Sequence, residues 1–464
     1  MKTMSVNLPQ TIRLNAIDQG YILPETDDDS GPHLPMSAAA ALTLRSAPSH
    51  TWVVRALGEM EHRFPQLRLG YRLDTSKNIW RCVPAAELDT YFASLVTVHP
   101  EPIDLSEALT HAIRRNPPLP APIAITLYGN QLIVQMHHSF GDGRFLLQLI
   151  FFLILAIFDS AQFEQLPDLP MRFRAPLWRV VWQNLGQAKE VFAGWLRLLP
   201  DYVKTPTADP DKTPMEPIHS GSEMGVALKI LPAEVIAGIE AVRLELSRTD
   251  KISFNTFLQV LVAHRLAELG LMTLPATYTI PVDLHRYLKP RGQYLPGNLA
   301  STLTVKTSTR PEPDLLADCI ELQKQVIVQL HQRMPLANLP NEWLLRLGGN
   351  RTYKRMTQQW MATAINADPR FFVLSNVGNF DDEYKLIASY IEWSCGAFGA
   401  VSLMGAPHLI LSFGMAAGQG SLSLVYDPRV LTEAHIEAIV EMFSPEWLAE
   451  KRSQLSPQPS LQAV

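Results

Sequence analysis

A chain of 464 residues with 47% apolar side chains and only 18% charged ones has the material for a large buried core, which excludes disorder as its main state. Its 40 Lys and Arg against 45 Asp and Glu leave a formal charge of −5. No basic cluster is long enough to neutralise a phosphate backbone, so no nucleic-acid partner is expected. Three cysteines, Cys82, Cys319 and Cys395, are far apart and odd in number; they frame neither a disulfide scaffold nor a CxxC metal site and fit a reducing, cytoplasmic compartment. The first twenty residues hold Asp18 and several amides where a secretion signal needs an apolar stretch. The longest unbroken apolar run, Leu149 to Phe158, is far short of the roughly 18–20 residues a membrane-crossing helix requires. A soluble protein, touching a membrane at most on its surface, is the expectation.

In chain order, the acidic string from Glu25 to Asp29 reads as a solvated loop, since nothing near it completes a calcium-binding pattern. Ser49 is placed to cap a helix that shows Val53, Leu57, Met60 and Phe64 on one face and is stopped by Pro65. Ile123 to Leu127 and Leu132 to His137 read as strands joined by Gly129-Asn130, a two-residue hairpin signal. On the returning strand Leu132, Val134, Met136 and His138 share one face, while Ile133, Gln135 and His137 share the other. A short loop, Ser139 to Gly143, leads into a strongly apolar helix from about Arg144, whose length favours burial behind the loop.

Trp178, Val181, Trp182, Leu185, Phe192, Trp195, Leu196 and Leu199 then recur at helical spacing, with Arg179, Lys189 and Arg197 available for a polar face. Packing on the protein's own core is the plainer reading; lying on a bilayer or covering an apolar tunnel is the other, which makes residues 176–199 a candidate peripheral membrane contact. Thr205 to Ser222, rich in Pro, Asp, Thr and Ser, reads as a linker. The expected organisation is an N-terminal subdomain over 1–170, an amphipathic helix and linker over 171–222, and a C-terminal subdomain over 223–464.

In that second half Ser253 is placed to cap a helix with an apolar stripe of Phe254, Phe257, Leu258, Leu261, Val262 and Leu269, closed by Gly270. Leu299 to Val305, Phe371 to Leu374, His408 to Phe413 and Ser421 to Tyr426 are strand-like. No period of 20–50 residues marks a repeat. Strands and helices interleave without a βαβ rhythm and no GxGxxG opens a helix, so a mixed α/β (α+β) class is expected and a dinucleotide-binding fold is not. His264 and His408 have no partner at metal spacing and read as ordinary histidines.

Chemistry concentrates in His137-His138-Ser139-Phe140-Gly141-Asp142-Gly143. A histidine at the end of a buried strand has its ring fixed and its hydration limited. Near its free pKa of about 6.5 it takes a proton from a hydroxyl or amine at neutral pH. Asp142 could orient that ring as in a triad, brace the loop through an ion pair, or form with Gly143 a mere turn.

The string HHSFGDG matches HHxxxDG, and the chain resembles the chloramphenicol-acetyltransferase-like acyltransferases. These include condensation domains of nonribosomal peptide synthesis, wax ester synthase/diacylglycerol acyltransferases and alcohol O-acyltransferases. Further segments follow in the expected order: ALGEMEHRFPQLRLGYR (56–72), ISFNTFLQVLVAHRLA (252–267), IPVDLHRYLKPRGQYLPGN (280–298), SNVG (375–378) and LSFGMAAGQGSLSLVYDP (411–428).

The resemblance implies two similar subdomains in a V with a tunnel between them. It also implies a thioester donor on coenzyme A or an acyl carrier protein, a small-molecule acceptor, and no metal, redox cofactor or acyl-enzyme. His138 would be the general base, His137 its support, Asp142 a structural residue paired with an arginine, and Gly143 the residue that keeps the loop open. Ser375 and Asn376 are candidates for stabilising the oxyanion, and Arg286 and Asn298 are structural candidates.

Two departures stand out. Where the family pattern has arginine directly after "PVxL", this chain has His285, with Arg286 one place later, so the partner of Asp142 is open. The plant-type "DFGWG" element is also absent; the nearest string is Ser412 to Met415. A freestanding chain of this length favours an acyl-CoA-dependent O-acyltransferase. The alternatives are a freestanding condensation enzyme and a catalytically silent docking protein.

Overall fold

The computed structural model describes residues 9–14, 18, 37–74, 76–114, 121–169, 176–203, 224–247, 251–272, 277–289, 297–306, 314–337, 372–392, 397–401 and 408–455. The acidic string and the Thr205–Ser222 segment lie outside the described residues. Along the chain, β1 (Thr11–Arg13) and β2 (Ser37–Thr43) precede α1 (His50–Arg63), β3 (Tyr71–Asp74), β4 (Ile79–Cys82), α2 (Leu88–Ser94), β5 (Val96–His99) and α3 (Leu105–Arg114). The hairpin β6 (Ile123–Tyr128) and β7 (Gln131–His137) leads to α4 (Gly143–Phe158), followed by α5 (Ser160–Glu164), α6 (Pro176–Gln183) and α7 (Ala188–Val203). The second half runs through β8 (Gly225–Leu231), α8 (Ala233–Leu246), α9 (Phe254–Glu268), β9 (Thr277–Asp283), β10 (Ala300–Lys306) and α10 (Leu315–His331). It closes with β11 (Phe372–Asn379), α11 (Asp381–Ile387), β12 (Ala397–Val401), the hairpin β13 (Leu409–Ala416) and β14 (Gln419–Tyr426), α12 (Glu433–Glu441) and α13 (Pro445–Leu455).

Local chemistry sets the main helices where the sequence placed them. Ser49 Oγ accepts the Trp52 N–H at 3.2 Å and turns Val53, Leu57 and Met60 inward; Ser253 Oγ accepts the Thr256 N–H at 3.1 Å and opens α9. Each cap satisfies a backbone donor that the first turn leaves without a partner, a contribution of about 1 kcal/mol. Gly270 adopts φ 66° just past α9, the left-handed geometry in which glycine pays no Cβ penalty.

Two larger sheets carry the architecture, the mixed α/β class expected from sequence. One is five-stranded in the order β12-β2-β7-β6-β5, the other six-stranded in the order β10-β9-β11-β13-β14-β8, and a small sheet orders β1-β4-β3. β2 is nearly all alanine, with Ala38 and Ala40 in the core under α1 and α4 and Ala39 and Ala41 on the opposite face. Small side chains on both faces let packed elements approach closely on each side. On that second face Leu105, Leu109 and Ile113 of α3 join Ile410 of β13 and Val425 of β14 in one core, so the two sheets are coupled through α3.

A further coupling runs through α11 and β12. β12 pairs antiparallel with β2, Phe398 opposite Ala41, and Ile387 and Ile391 are buried in the core of the first half. Residues 381–392 and 397–401, counted with the second half by chain position, therefore pack on the first. Among the described residues no helix is long and apolar enough to cross a membrane.

Candidate active site

The site starts at the end of β7. His137 is fully buried, and its Nδ1 accepts the Ser139 N–H at 3.1 Å and lies 2.6 Å from Ser139 Oγ. A ring nitrogen that accepts a backbone N–H is unprotonated, so the proton of His137 sits on Nε2. His138 is nearly as buried, with 7% exposure. The Asn298 Nδ2 donates to its main-chain carbonyl at 2.9 Å and lies 3.4 Å from its Nδ1. A neutral imidazole keeps a lone pair on one ring nitrogen, which is what a base needs. Burial is the main cause that pushes His138 down to about 4, with the neighbouring His137 adding to the effect and a hydrogen bond to its own backbone opposing it. The imidazole is thus neutral at neutral pH by a wide margin, not poised near the free value.

Tight packing shapes the loop beyond it. Phe140 is fully buried between Trp80 and Phe145, edge to face with both at 5.4 and 5.2 Å. The Arg68 guanidinium donates to the Phe140 carbonyl at 2.9 Å and lies over its ring. Gly141 has no room for a side chain: a Cβ there would sit 2.2 Å from the Phe145 ring. Asp142 does two things at once. Its Oδ1 accepts the Phe145 N–H at 3.0 Å and caps α4, while its Oδ2 accepts the Leu299 N–H at 2.9 Å from the segment entering β10. One carboxylate thereby ties the loop of the first half to a strand of the second.

Arg286, whose relation to Asp142 the sequence leaves open, lies in a turn. β9 ends at Asp283, whose Oδ1 accepts the His285 N–H at 2.8 Å and turns the chain into a short 3₁₀ segment, Leu284–Tyr287. That turn replaces strand alternation, burying His285 and leaving Arg286 exposed beside the Tyr287 ring. His285 Nδ1 lies 2.5 Å from Asp283 Oδ1, and Asp283 Oδ2 accepts from Arg144 of α4 at 3.1 Å. The Leu284 N–H donates to the Leu299 carbonyl, which sets His285 next to Asp142. Burial raises the Asp142 carboxyl above its ordinary value, and the largest opposing influence is the charge of His285, followed by the two backbone amides.

β11 reaches the same loop from the other side: a Cβ built on Gly143 would lie 3.4 Å from Val377 Cγ1, an ordinary contact. Alternation sends Ser375 to the face of Val377 and Asn376 to the opposite one, so the two candidate oxyanion donors do not converge. Asn376 Oδ1 accepts the Gly378 N–H at 3.0 Å in a bulge where pairing with β13 slips. Of the sequence-stated residues, His138, Asn298 and Asp142 are thus joined through direct bonds or a shared segment, and His137 holds Ser139. Arg68 and Asp283 were not singled out from sequence, although Arg68 stands inside the segment 56–72 that carries the resemblance.

Elsewhere His264 pairs with Asp318 at 2.8 Å and His408 with Asp427 at 3.5 Å. Among the described residues no cluster of three His, Cys, Asp or Glu is arranged to hold a metal. The run at 176–199 is two helices rather than one, broken at the buried Asn184, which donates to the Val180 carbonyl. Val180 packs on Leu284, Leu288 and Leu299, while Trp182, Leu185, Phe192 and Leu196 are exposed.

No family model and no curated protein matches the sequence. Solved structures match over nearly the whole chain. The first condensation domain of the calcium-dependent antibiotic synthetase is 14% identical, with 97% of each chain covered and a TM-score of 0.65. Trichothecene 15-O-acetyltransferase from Fusarium sporotrichioides is 12% identical, with 95% of this chain and 96% of that one covered and a TM-score of 0.62. Polyketide synthase associated protein 5 from Mycobacterium tuberculosis is 14% identical, with 94% and 98% covered and a TM-score of 0.60. The likeness is one of fold: this chain has the chloramphenicol-acetyltransferase-like fold of condensation domains and of that acetyltransferase.

Proposed function

We propose that this protein is an acyltransferase that moves an acyl group from a thioester, preferably acyl-CoA, to a hydroxyl acceptor without a covalent acyl-enzyme. The observation that carries the reading is the state of His138: buried at the end of β7, held through its carbonyl by Asn298 and kept neutral by burial. The acceptor O–H gives its proton to the His138 imidazole as its oxygen attacks the thioester carbonyl. The tetrahedral oxyanion collapses with cleavage of the C–S bond, and the departing thiolate takes the proton from the imidazolium as free thiol. Nothing in this sequence calls for a metal or a redox cofactor. Ser375 is the better placed of the two oxyanion candidates, because it shares the face of Val377, and Gly143 keeps the approach from β11 open. The exposed apolar face of α6 and α7 is the proposed peripheral membrane contact, in keeping with a hydrophobic acceptor.

The likeness to condensation domains favours one second reading, amide or ester formation from substrates on a carrier protein. Free-thiol release from a panel of acyl-CoA donors and from acylated carrier protein, with pooled alcohols and amines, separates the two. Under the first reading CoA donors turn over and His138→Ala loses at least ~10²-fold in kcat/KM. Turnover with acylated carrier protein alone replaces it by the second, retained activity in His138→Ala removes the base assignment, and silence with every donor leaves a docking role.

A further inference from the structure

A cavity of about 310 Å³ opens beside the catalytic loop, between the β9–β10 end of the large sheet and the helices α9 and α10. Ile280, Val282, Leu303, Val326 and Leu330 give it an apolar floor, and its polar wall holds Arg144, Asn255, Asp283, His285 and Arg286. The charges on that wall are unequal. Asp283 answers both Arg144 and His285, whereas among the described residues no carboxylate pairs with Arg286. An apolar pocket whose rim holds a guanidinium that no described carboxylate answers is built for a ligand that is greasy along its body and anionic at its end. A planar fork of N–H donors matches a carboxylate in particular.

We infer that this cavity binds a substrate bearing a carboxylate on an apolar body, with Arg286 as the specificity-determining residue. His285 lines the cavity and also acts on the buried Asp142, so the ligand lies against the loop that holds His138. That the ligand is a substrate rests on the acyl-transfer reading; that the cavity takes an amphiphilic carboxylate does not.

Binding is therefore measured without turnover, by calorimetry of the full chain with sodium octanoate and, as the uncharged counterpart, octanamide. Octanoate binds the wild type at least about tenfold more tightly than octanamide. Arg286→Glu removes that preference, Arg286→Lys keeps part of it because the charge stays and the fork is lost, and Val326→Phe, which fills the floor, weakens both ligands. Arg286 is exposed, so its variants fold, as a thermal melt shows directly. Equal affinity of wild type for the two ligands, octanoate binding unchanged in Arg286→Glu, or binding of neither ligand overturns the assignment. Because no donor or acceptor is present, failure here leaves the thiol-release test intact, and silence in that test leaves this one intact.

Discussion

At the scale of single residues the decisive quantity is the free energy of protonating His138. Free imidazole titrates near 6.5, and burial brings this ring to about 4. Between those values the unfolded chain binds a proton that the folded chain refuses. The group thus costs the fold nothing above about pH 6.5 and costs it progressively more as the pH falls toward 4. With His138 as the proposed base, the same shift predicts the acid limb: kcat/KM for thioester transfer is level from neutral pH down to about 5 and falls below that, with an apparent pKa near 4 rather than 6.5. A pH series of kcat/KM with one acyl-CoA, over the range where melts show the protein folded, checks this. An acid limb centred at 6.5 would mean that the proton-accepting group is hydrated. Asn298→Leu tests how the ring is held. It removes the Nδ2 bond to the His138 carbonyl and lowers kcat by about tenfold with little change in KM, as expected for a group that positions the proposed base.

At the scale of elements, the loop from Ser139 to Gly143 shows how much was legible and why. The hairpin, the buried strand and the apolar helix follow from alternation, a Gly-Asn turn and helical spacing, which are local signals. The caps at Ser49 and Ser253 are local as well. What sequence could not supply is the direction of His285 and Arg286. A 3₁₀ turn capped by the Asp283 carboxylate decides which of two neighbours faces inward, and strand alternation carries no information past the end of the strand. The pairing of Asp142 with the Leu299 N–H was equally out of reach, since it joins residues far apart in the chain.

The two glycines of this loop make opposite predictions from one geometry. Gly141→Ala forces a Cβ into the Phe145 ring and destabilises the protein by about 1–3 kcal/mol, read as a lowered midpoint in urea unfolding. Gly143→Ala meets only an ordinary contact with Val377, leaving that midpoint within about 0.5 kcal/mol of wild type while narrowing the approach to His138. Its effect belongs in KM. Equal midpoints for the two variants would show that the loop yields where the structure has it packed.

Across the whole molecule the two halves are not independent units, because the chain crosses between them three ways. α3 shares a core with both sheets, Asp142 and Arg144 reach from the first half to Leu299 and Asp283 in the second, and α11, Ile391 and β12 return to pack on the first half. A site built at such a junction depends on a relative placement that neither half sets alone, and these crossings are what hold it. Ile391 offers the cleanest test, being buried to 2% exposure in the core formed with α1 and α4. Ile391→Ala leaves a cavity there and costs about 2–4 kcal/mol. In hydrogen exchange of the full chain, the added exposure appears in peptides from α1, β7 and α4, more than two hundred residues upstream, and not only around the substitution. Thioester transfer falls with it, because β7 and α4 flank His138. Faster exchange confined to 381–401, with α1 and α4 as protected as in wild type, would mean that this segment rests on a core complete without it, and the placement of the site would then fall to α3 and the Asp142 bridge alone.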